Sequence, residues 1–276
     1  MWTIYHEFLC EDMSSSSALE LLGVKKSFGG NFCALDSVDM KVRDGEFVCI
    51  VGPSGCGKTV LLYLIAGFLS PTAGDIFTYG KKVESISSER LMVFQDHMLF
   101  PWKTVLGNVL FGLSNSELSK EEKRKKALYY LEMVGLGEFK DWPIYKLSGG
   151  MKQRVAFARS LVVDPDILLM DEPFSALDSQ TRRHLRNNLL EIWDRNHKTI
   201  LFVTHSVHEA LCLADTIYVV SSRPFVIKKK YELSLARPRQ VDDPTFIRLM
   251  KEIEAEIDSE FKIFNKSYLY NFNLTK

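Results

Sequence analysis

The stretch VCIVGPSGCGKTVLLYLIAGF, from Val48 to Phe68, decides the fold. It joins a short apolar run, typical of a buried parallel strand, to a longer run rich in helix-forming residues. The first turn of a helix offers unpaired backbone N–H groups and a partial positive charge. Glycines between the two runs allow the backbone to curl so that several N–H groups point at one centre. The stretch therefore predicts a phosphate-binding loop.

The fixed positions of this loop match the pattern G-x-x-x-x-G-K-[ST] at Gly52, Gly57, Lys58 and Thr59. The lysine ammonium can reach the outer phosphates of a nucleotide, and the threonine hydroxyl can bind Mg²⁺. The alternative is a glycine turn followed by a surface lysine, which the strand before it and the helix after it disfavour. Phosphate-binding loops serve kinases, GTPases and motor proteins alike, so the pattern alone leaves the reaction open.

Bulk composition excludes several classes of protein. The 276 residues are 46% hydrophobic and carry 35 basic and 35 acidic side chains, so nothing indicates a nucleic-acid partner. Five cysteines, with no C-x-x-C pair, favour a reducing compartment and buried thiols. No apolar run reaches the roughly eighteen residues of a transmembrane helix. Residues 1–17 lack the features of a secretory signal and are expected to form a disordered leader.

Strand and helix patterns alternate along the chain, which predicts an α/β fold with a mainly parallel sheet. DILLMD, TILFVT and TIYVVSS are short apolar strands separated by helical stretches. Before them, Val38, Met40 and Val42 alternate with charged residues, as in a half-exposed antiparallel strand. Ser119 and Glu122 have the spacing of a helix capping box.

Asp171 and Glu172 follow the apolar strand ILLM and supply the second half of a phosphate site. The first carboxylate can hold Mg²⁺, and the second is placed to orient or deprotonate a water. A plain acidic loop is the alternative.

Ser148, Gly149 and Gly150 precede a helix expected to begin near Met151 and form a second anion site at a helix N-terminus. Either this chain binds two phosphates itself, or the second site serves a nucleotide held by another subunit. The plainer interpretation is an N-cap before an amphipathic helix.

Six motifs in order make the chain resemble an ATP-binding cassette (ABC) subunit over nearly its whole length. GPSGCGKT is similar to the Walker A motif, and Gln95 in VFQD matches the Q-loop. LSGGMKQ resembles the signature motif, LLMDEP the Walker B motif and SALD the D-loop, while His205 in VTHS matches the switch histidine.

The resemblance implies a P-loop NTPase: a RecA-like core, an antiparallel β-subdomain and a helical signature subdomain. It also implies a sandwich in which the P-loop of one subunit and the signature of its partner clasp one ATP. The residues carried over are Glu172 and His205 for catalysis; Phe28 (stacked on adenine), Gly52, Pro53, Ser54, Gly55, Cys56, Gly57, Lys58, Thr59, Val60, Gln95 and Asp171 for ATP; Thr59, Gln95 and Asp171 for Mg²⁺; and Ser148, Gly149, Gly150, Gln153 and Asp178 for the partner's nucleotide.

Val60 departs from the family pattern, which usually has Ser-Thr after the lysine where this chain has Thr59-Val60. The backbone N–H survives but a side-chain hydroxyl near the α-phosphate is lost, worth about 1 kcal/mol of binding. His205 and His208 have a spacing that could suit a metal, but no cysteine or carboxylate set completes such a site.

The stretches FQDHMLFPWKTVLGNVLFGL and LARPRQVDDPTFIRLMKEI resemble the importer branch for nitrate, aliphatic sulfonates and taurine. The implied partners are a second ATP-binding subunit, expected as a homodimer, transmembrane permease subunits and, indirectly, an extracytoplasmic solute-binding protein. Phe100, Pro101 and Trp102 would then meet the permease, on the cytoplasmic face of the membrane. The expected divisions are an ATP-binding domain over 18–243, with a helical part over about 97–160, and a C-terminal helix and tail over 244–276.

The competing class is a soluble ABC-type ATPase that acts on DNA or ribosomes. DNA-repair relatives carry a long coiled coil between the P-loop and Walker B, and translation-type relatives carry two cassettes. This chain has neither feature. A small-molecule P-loop kinase would not need LSGGMKQ.

Overall fold

The computed structural model describes residues 17–29, 32–175 and 177–274. The leader expected over residues 1–17 therefore lies outside the described residues except for Ser17, as do Ala176 of SALD and the last two residues of the tail.

A six-stranded sheet forms the centre of the molecule. Its strand order is β10-β9-β3-β8-β7-β6, and every pairing is parallel except that of β10 with β9. Four of these strands are apolar and almost wholly buried, as a parallel sheet covered on both faces requires. The strands are β3 (Phe47–Val51), β6 (Arg90–Val93), β7 (Ile167–Asp171), β8 (Thr199–Thr204), β9 (Thr216–Val220) and β10 (Ile227–Glu232).

A second, antiparallel sheet has the order β2-β1-β4-β5. Its strands are β1 (Ser17–Phe28), β2 (Phe32–Arg43), β4 (Ala73–Thr78) and β5 (Lys81–Lys82). Val38, Met40 and Val42 of β2 are buried while the residues between them are exposed, which confirms the antiparallel strand predicted from their alternation.

The seven described helices are α1 (Lys58–Ala66), α2 (Val105–Gly112), α3 (Lys120–Met133), α4 (Gly149–Leu161), α5 (Ser179–Asn196), α6 (Val207–Leu213) and α7 (Pro244–Leu274). The capping box is present at α3: Ser119 Oγ accepts from the N–H of Glu122, whose carboxylate accepts from the N–H of Ser119. α4 begins at Gly149, two residues before the expected start, because Ser148 caps it through the N–H of Met151.

Two apolar layers pack on opposite faces of the central sheet, as alternate residues of β3 show. Phe47, Cys49 and Val51 pack in the layer with α2–α6 and the start of α7, whereas Val48 and Ile50 pack with α1 and the antiparallel sheet. Because the strands are parallel, their carboxyl ends lie at the same edge of the sheet, which is where ligands bind in open α/β folds. Within the described residues, no helix combines the length and apolar character needed to cross a membrane.

Candidate active site

The phosphate-binding loop joins β3 to α1, as predicted. Gly57 is the N-cap residue of α1, with φ at +119°, and leaves the first backbone N–H groups of the helix facing the loop. Lys58 is buried, and its ammonium donates to the carbonyls of Gly52 and Pro53 at 2.8 Å each. The loop therefore folds around a fixed positive charge.

Gly52 is required by packing rather than by an unusual φ. A Cβ at this position would lie 2.5 Å from Cγ2 and 3.0 Å from the carbonyl oxygen of Val220, on the neighbouring β9. Only glycine fits where the chain leaves the end of β3 and passes this close to β9. The first glycine of the pattern therefore fixes where the loop begins.

A cavity of about 380 Å³ opens above the loop. The loop residues 54–60 form its floor, and Gln95 and Glu172 lie on its wall. This volume and a floor of helix-terminal N–H groups are suited to the phosphates of a nucleotide. Val60, the departure from the family pattern, lines the cavity and also packs against the apolar layer around α1.

Two aromatic rings lie side by side near the cavity. Phe32 lines it, and the ring centroid of Phe28 is 6.5 Å from that of Phe32. The ammonium of Lys26 lies 5.2 Å from the centroid of the Phe28 ring. The sequence reasoning named Phe28 and missed Phe32, which the β1–β2 hairpin brings to the cavity.

Arg223 is a cavity residue that the sequence reasoning missed. Its Nε donates to the carbonyl of Gly55 at 2.6 Å, and its guanidinium carbon lies 5.4 Å from the centroid of the Phe32 ring. The side chain thus ties the tip of the phosphate-binding loop to the aromatic side of the cavity. No local signal marks it, because 168 residues separate it from Gly55.

Asp171 ends β7 and is 4% exposed. Burial raises the pKa of its carboxyl, while Thr59 and Lys58 act in the opposite direction and Glu172 adds to the rise. A buried carboxylate next to a hydroxyl supplies the hard oxygen ligands that Mg²⁺ prefers, so these two residues fit that ion.

Glu172 is held in an unusual backbone conformation, with φ at +45°. Its N–H donates to the carbonyl of Val203 on β8 at 3.0 Å, which fixes the turn. Oε2 lies 3.1 Å from Nδ1 of His205. Because a carboxylate oxygen accepts, Nδ1 is the donating ring nitrogen in this pair. A non-glycine residue with positive φ is often found at a functional turn.

The signature residues do not line the cavity of their own chain. Ser148 and Gly149 are exposed at the start of α4, and a Cβ at Gly149 would meet no heavy atom within 4 Å. The start of α4 is therefore open and contributes no residue to this cavity. Gln153, in the second turn of α4, is 4% exposed, and its amide oxygen and nitrogen have no hydrogen-bond partner among the described residues.

Asp178 is the N-cap residue of α5. Its carboxylate accepts from the N–H groups of Gln180 and Thr181, at 3.1 and 2.9 Å, and caps α5. These hydrogen bonds lower the pKa of the Asp178 carboxyl, and the one from Thr181 has the largest effect. The Asp178 side chain is exposed and is therefore accessible to a second subunit.

The family model described as ABC transporter matches residues 35–175. The nitrate import ATP-binding protein of Synechocystis sp. is 46% identical over 225 residues, 82% of this chain and 85% of that protein. The taurine import ATP-binding protein of Pelagibacter ubique is 48% identical over 203 residues, 74% of this chain and 77% of that protein.

A solved structure described as the dimeric post-hydrolysis state of an ATP-binding cassette, bound to ADP and Pi, has a TM-score of 0.71 to this chain and 32% sequence identity. The alignment covers 79% of this chain and all of that one.

Proposed function

The chain belongs to the ABC transporter family and is an ABC-type ATPase, and we propose that it energises an importer for nitrate, a sulfonate, taurine or a similar small solute. The observation that supports the proposal is the cavity over residues 54–60, with Gln95 and Glu172 on its wall, in a chain whose α4 starts openly after Ser148 and contributes nothing to that cavity. The names of the nitrate and taurine relatives support the importer branch.

In this proposal the loop residues 52–60 bind the phosphates of ATP, with Lys58 neutralising their charge. Phe32 and Arg223 line one side of the cavity, and Phe28, next to Phe32, remains the residue proposed to stack on adenine. Gln95 reaches the same cavity from the end of β6.

Mg²⁺, where bound, would neutralise phosphate charge, and Thr59 and Asp171 with Gln95 would hold it. Glu172 accepts a proton from the attacking water, or orients it, because its carboxylate faces the cavity. His205 keeps that carboxylate in position through Nδ1 and can turn its other ring nitrogen towards the γ-phosphate.

A second copy of the chain completes each site. Ser148, Gly149 and Gly150 of that copy would bind the γ-phosphate from the opposite side, with Asp178 at the contact between subunits. The dimeric cassette holding ADP and Pi supports this arrangement. One subunit alone supplies half the contacts, so we expect weak dimerisation without nucleotide.

The permease would dock on an exposed aromatic surface around Trp102, which is 78% exposed. Phe111 is 46% exposed, and Phe100 packs between them with ring centroids 5.5 Å from Trp102 and 4.4 Å from Phe111. A cluster of exposed aromatic side chains is typical of a protein interaction surface. The chain would thus lie peripherally on the cytoplasmic face of the membrane, with an extracytoplasmic solute-binding protein acting on the permease and not on this chain.

The division of the chain is also a proposal: an ATP-binding domain over 18–243, whose helical part over about 97–160 contains α2, α3 and α4, followed by the segment 244–276.

Two neighbouring substitutions test the assignment of roles. Glu172→Gln keeps the shape of the side chain but cannot take a proton, so turnover falls by about 10²–10⁴ while ATP binding and the ATP-bound dimer persist. Asp171→Asn weakens Mg²⁺ binding and with it nucleotide affinity. ATPase turnover, nucleotide titration and sedimentation are measured for both. Wild-type turnover in Glu172→Gln contradicts the assignment of the base.

A further inference from the structure

A separate cavity of about 690 Å³ lies between α5, α6 and the segment that precedes α7. Three arginines of α5, Arg182, Arg183 and Arg186, line it, and Arg239 closes it from the segment before α7. The phosphate-binding loop contributes no residue to its wall. The cavity is therefore distinct from the ATP site.

The positive charge of this cavity is only partly compensated. Two carboxylates, Glu209 and Asp242, face four arginines. Glu209 is already engaged: it accepts from the hydroxyl of Thr204 at 2.7 Å and lies 3.6 Å from Nε of Arg182.

Arg183 and Arg186 form no ion pair with any described side chain. Arg186 Nη1 instead lies 3.5 Å from Nδ1 of His208. Burial, with Arg186 and Arg183 acting in the same direction, lowers the pKa of His208.

Arg182 and Arg239 are held in place by contacts within the chain. Arg182 donates from Nη2 to the carbonyl of Leu177 at 2.8 Å, and its buried Nε lies 3.6 Å from the carboxylate of Glu209. Arg239 is held rigidly, because its Nη1 donates to the carbonyl of Leu211 at 2.6 Å and its Nε to that of Leu235 at 3.1 Å. Guanidinium groups fixed in this way bind tetrahedral oxyanions through paired N–H donors at little cost in conformational entropy.

We propose that this cavity binds a small, multiply charged oxyanion, of which sulfate and phosphate are the simplest. The arginines of α5 would contact it from one side and Arg239 from the other. The anion would link two helices that begin beside predicted active-site residues: α5 is capped by Asp178, and α6 begins two residues after His205. Occupancy would thus stiffen this part of the ATPase and change its turnover.

Sulfate titration by calorimetry tests the site. The full chain is saturated with Mg-ADP, so that the phosphate-binding loop is filled, and chloride is adjusted to hold the ionic strength constant. Wild-type protein is expected to bind one sulfate per chain in a saturable manner. Arg186→Gln should weaken that binding by about tenfold, the value of one charge-assisted hydrogen bond. ADP affinity, measured separately on the same proteins before Mg-ADP is added, should stay unchanged.

Arg183→Gln is the second variant, because Arg183 is exposed and its loss does not threaten the fold. Arg124→Gln, on the exposed face of α3, is the matched control and should bind sulfate as the wild type does. Inorganic phosphate and glycerol 3-phosphate, titrated in the same way, tell whether a free oxyanion or a phosphate ester is the better occupant; saturable binding of either supports the site.

Absence of saturable sulfate and phosphate binding overturns the proposal, as does unchanged affinity in both cavity variants. A charge-reversal variant, Arg183→Glu, tests whether the cavity is a contact between two copies of the chain. If this variant loses the ATP-dependent dimer and the wild type binds no oxyanion, the cavity is a dimer contact and the proposal is overturned.

Discussion

Replacement of Gly149 by alanine separates the role of the signature site from the stability of the chain. A Cβ here meets no heavy atom within 4 Å, and the residue opens α4 directly after its cap. Alanine is favoured over glycine by about 0.8–1 kcal/mol in a helix interior, and by less in the first turn. The free energy of unfolding should therefore stay the same or rise by up to about 1 kcal/mol.

The same methyl group would project into the space that we assign to the partner's γ-phosphate. Displacement of one charge-assisted contact costs about 1.5–3 kcal/mol, so we expect ATPase turnover and the ATP-dependent dimer to weaken by about tenfold or more. Binding of ADP to the monomer should not change, because the phosphate-binding loop of the same chain is untouched. Urea unfolding, ADP titration and concentration-dependent ATPase activity measure the three quantities.

Gly52→Ala is the contrasting control. Its Cβ would lie 2.5 Å from Cγ2 of Val220, so overpacking should destabilise the chain by about 1–3 kcal/mol and weaken ADP binding. Wild-type turnover and dimerisation in Gly149→Ala would refute the reasoning about the signature site. Loss of ADP binding by the Gly149→Ala monomer would refute it equally.

Three further substitutions test the walls of the site and its surface. Arg223→Ala removes the hydrogen bond to Gly55 and the cover of Phe32, so the ADP dissociation constant should rise by up to about tenfold in a fluorescence titration, while an unchanged constant contradicts the role. Trp102→Ala should reduce capture of the permease more than it reduces ATP affinity, since aromatic hot spots contribute about 2 kcal/mol or more; equal losses would indicate a folding defect. Val60→Thr should tighten ATP binding by a few-fold at most, and no gain would mean that valine packing has replaced the hydroxyl.

The sequence predicted the features that are set within a few residues. The strand–loop–helix unit at Lys58, the capping box at Ser119 and the cap at Ser148 each depend on backbone groups no more than a turn away. Their geometry follows from local chemistry, whatever the rest of the chain does. For the same reason the strands and helices around them were recognised, and the antiparallel strand with Val38 was correct.

Features that depend on distant parts of the chain were missed. β10 has the sequence IKKKYE, and its three consecutive lysines do not follow a strand pattern. It is an edge strand because it pairs with β9. The burial of Gln153 on α4 likewise comes from packing against distant elements and could not be anticipated from the local pattern. Phe32 and Arg223 reach the cavity only because two separate segments converge on the phosphate-binding loop. Single-sequence patterns carry no information about such convergence.

Complementation between two inactive variants tests most directly the central claim that one ATP is shared by two subunits. Lys58→Ala lacks a working phosphate-binding loop but keeps its signature, whereas Gly149→Ala has the opposite defect. In a mixed dimer the loop of the second faces the signature of the first, so one intact site is restored. The account predicts that an equimolar mixture hydrolyses ATP faster than the two variants assayed separately and summed. A mixture no more active than that sum would contradict the shared site.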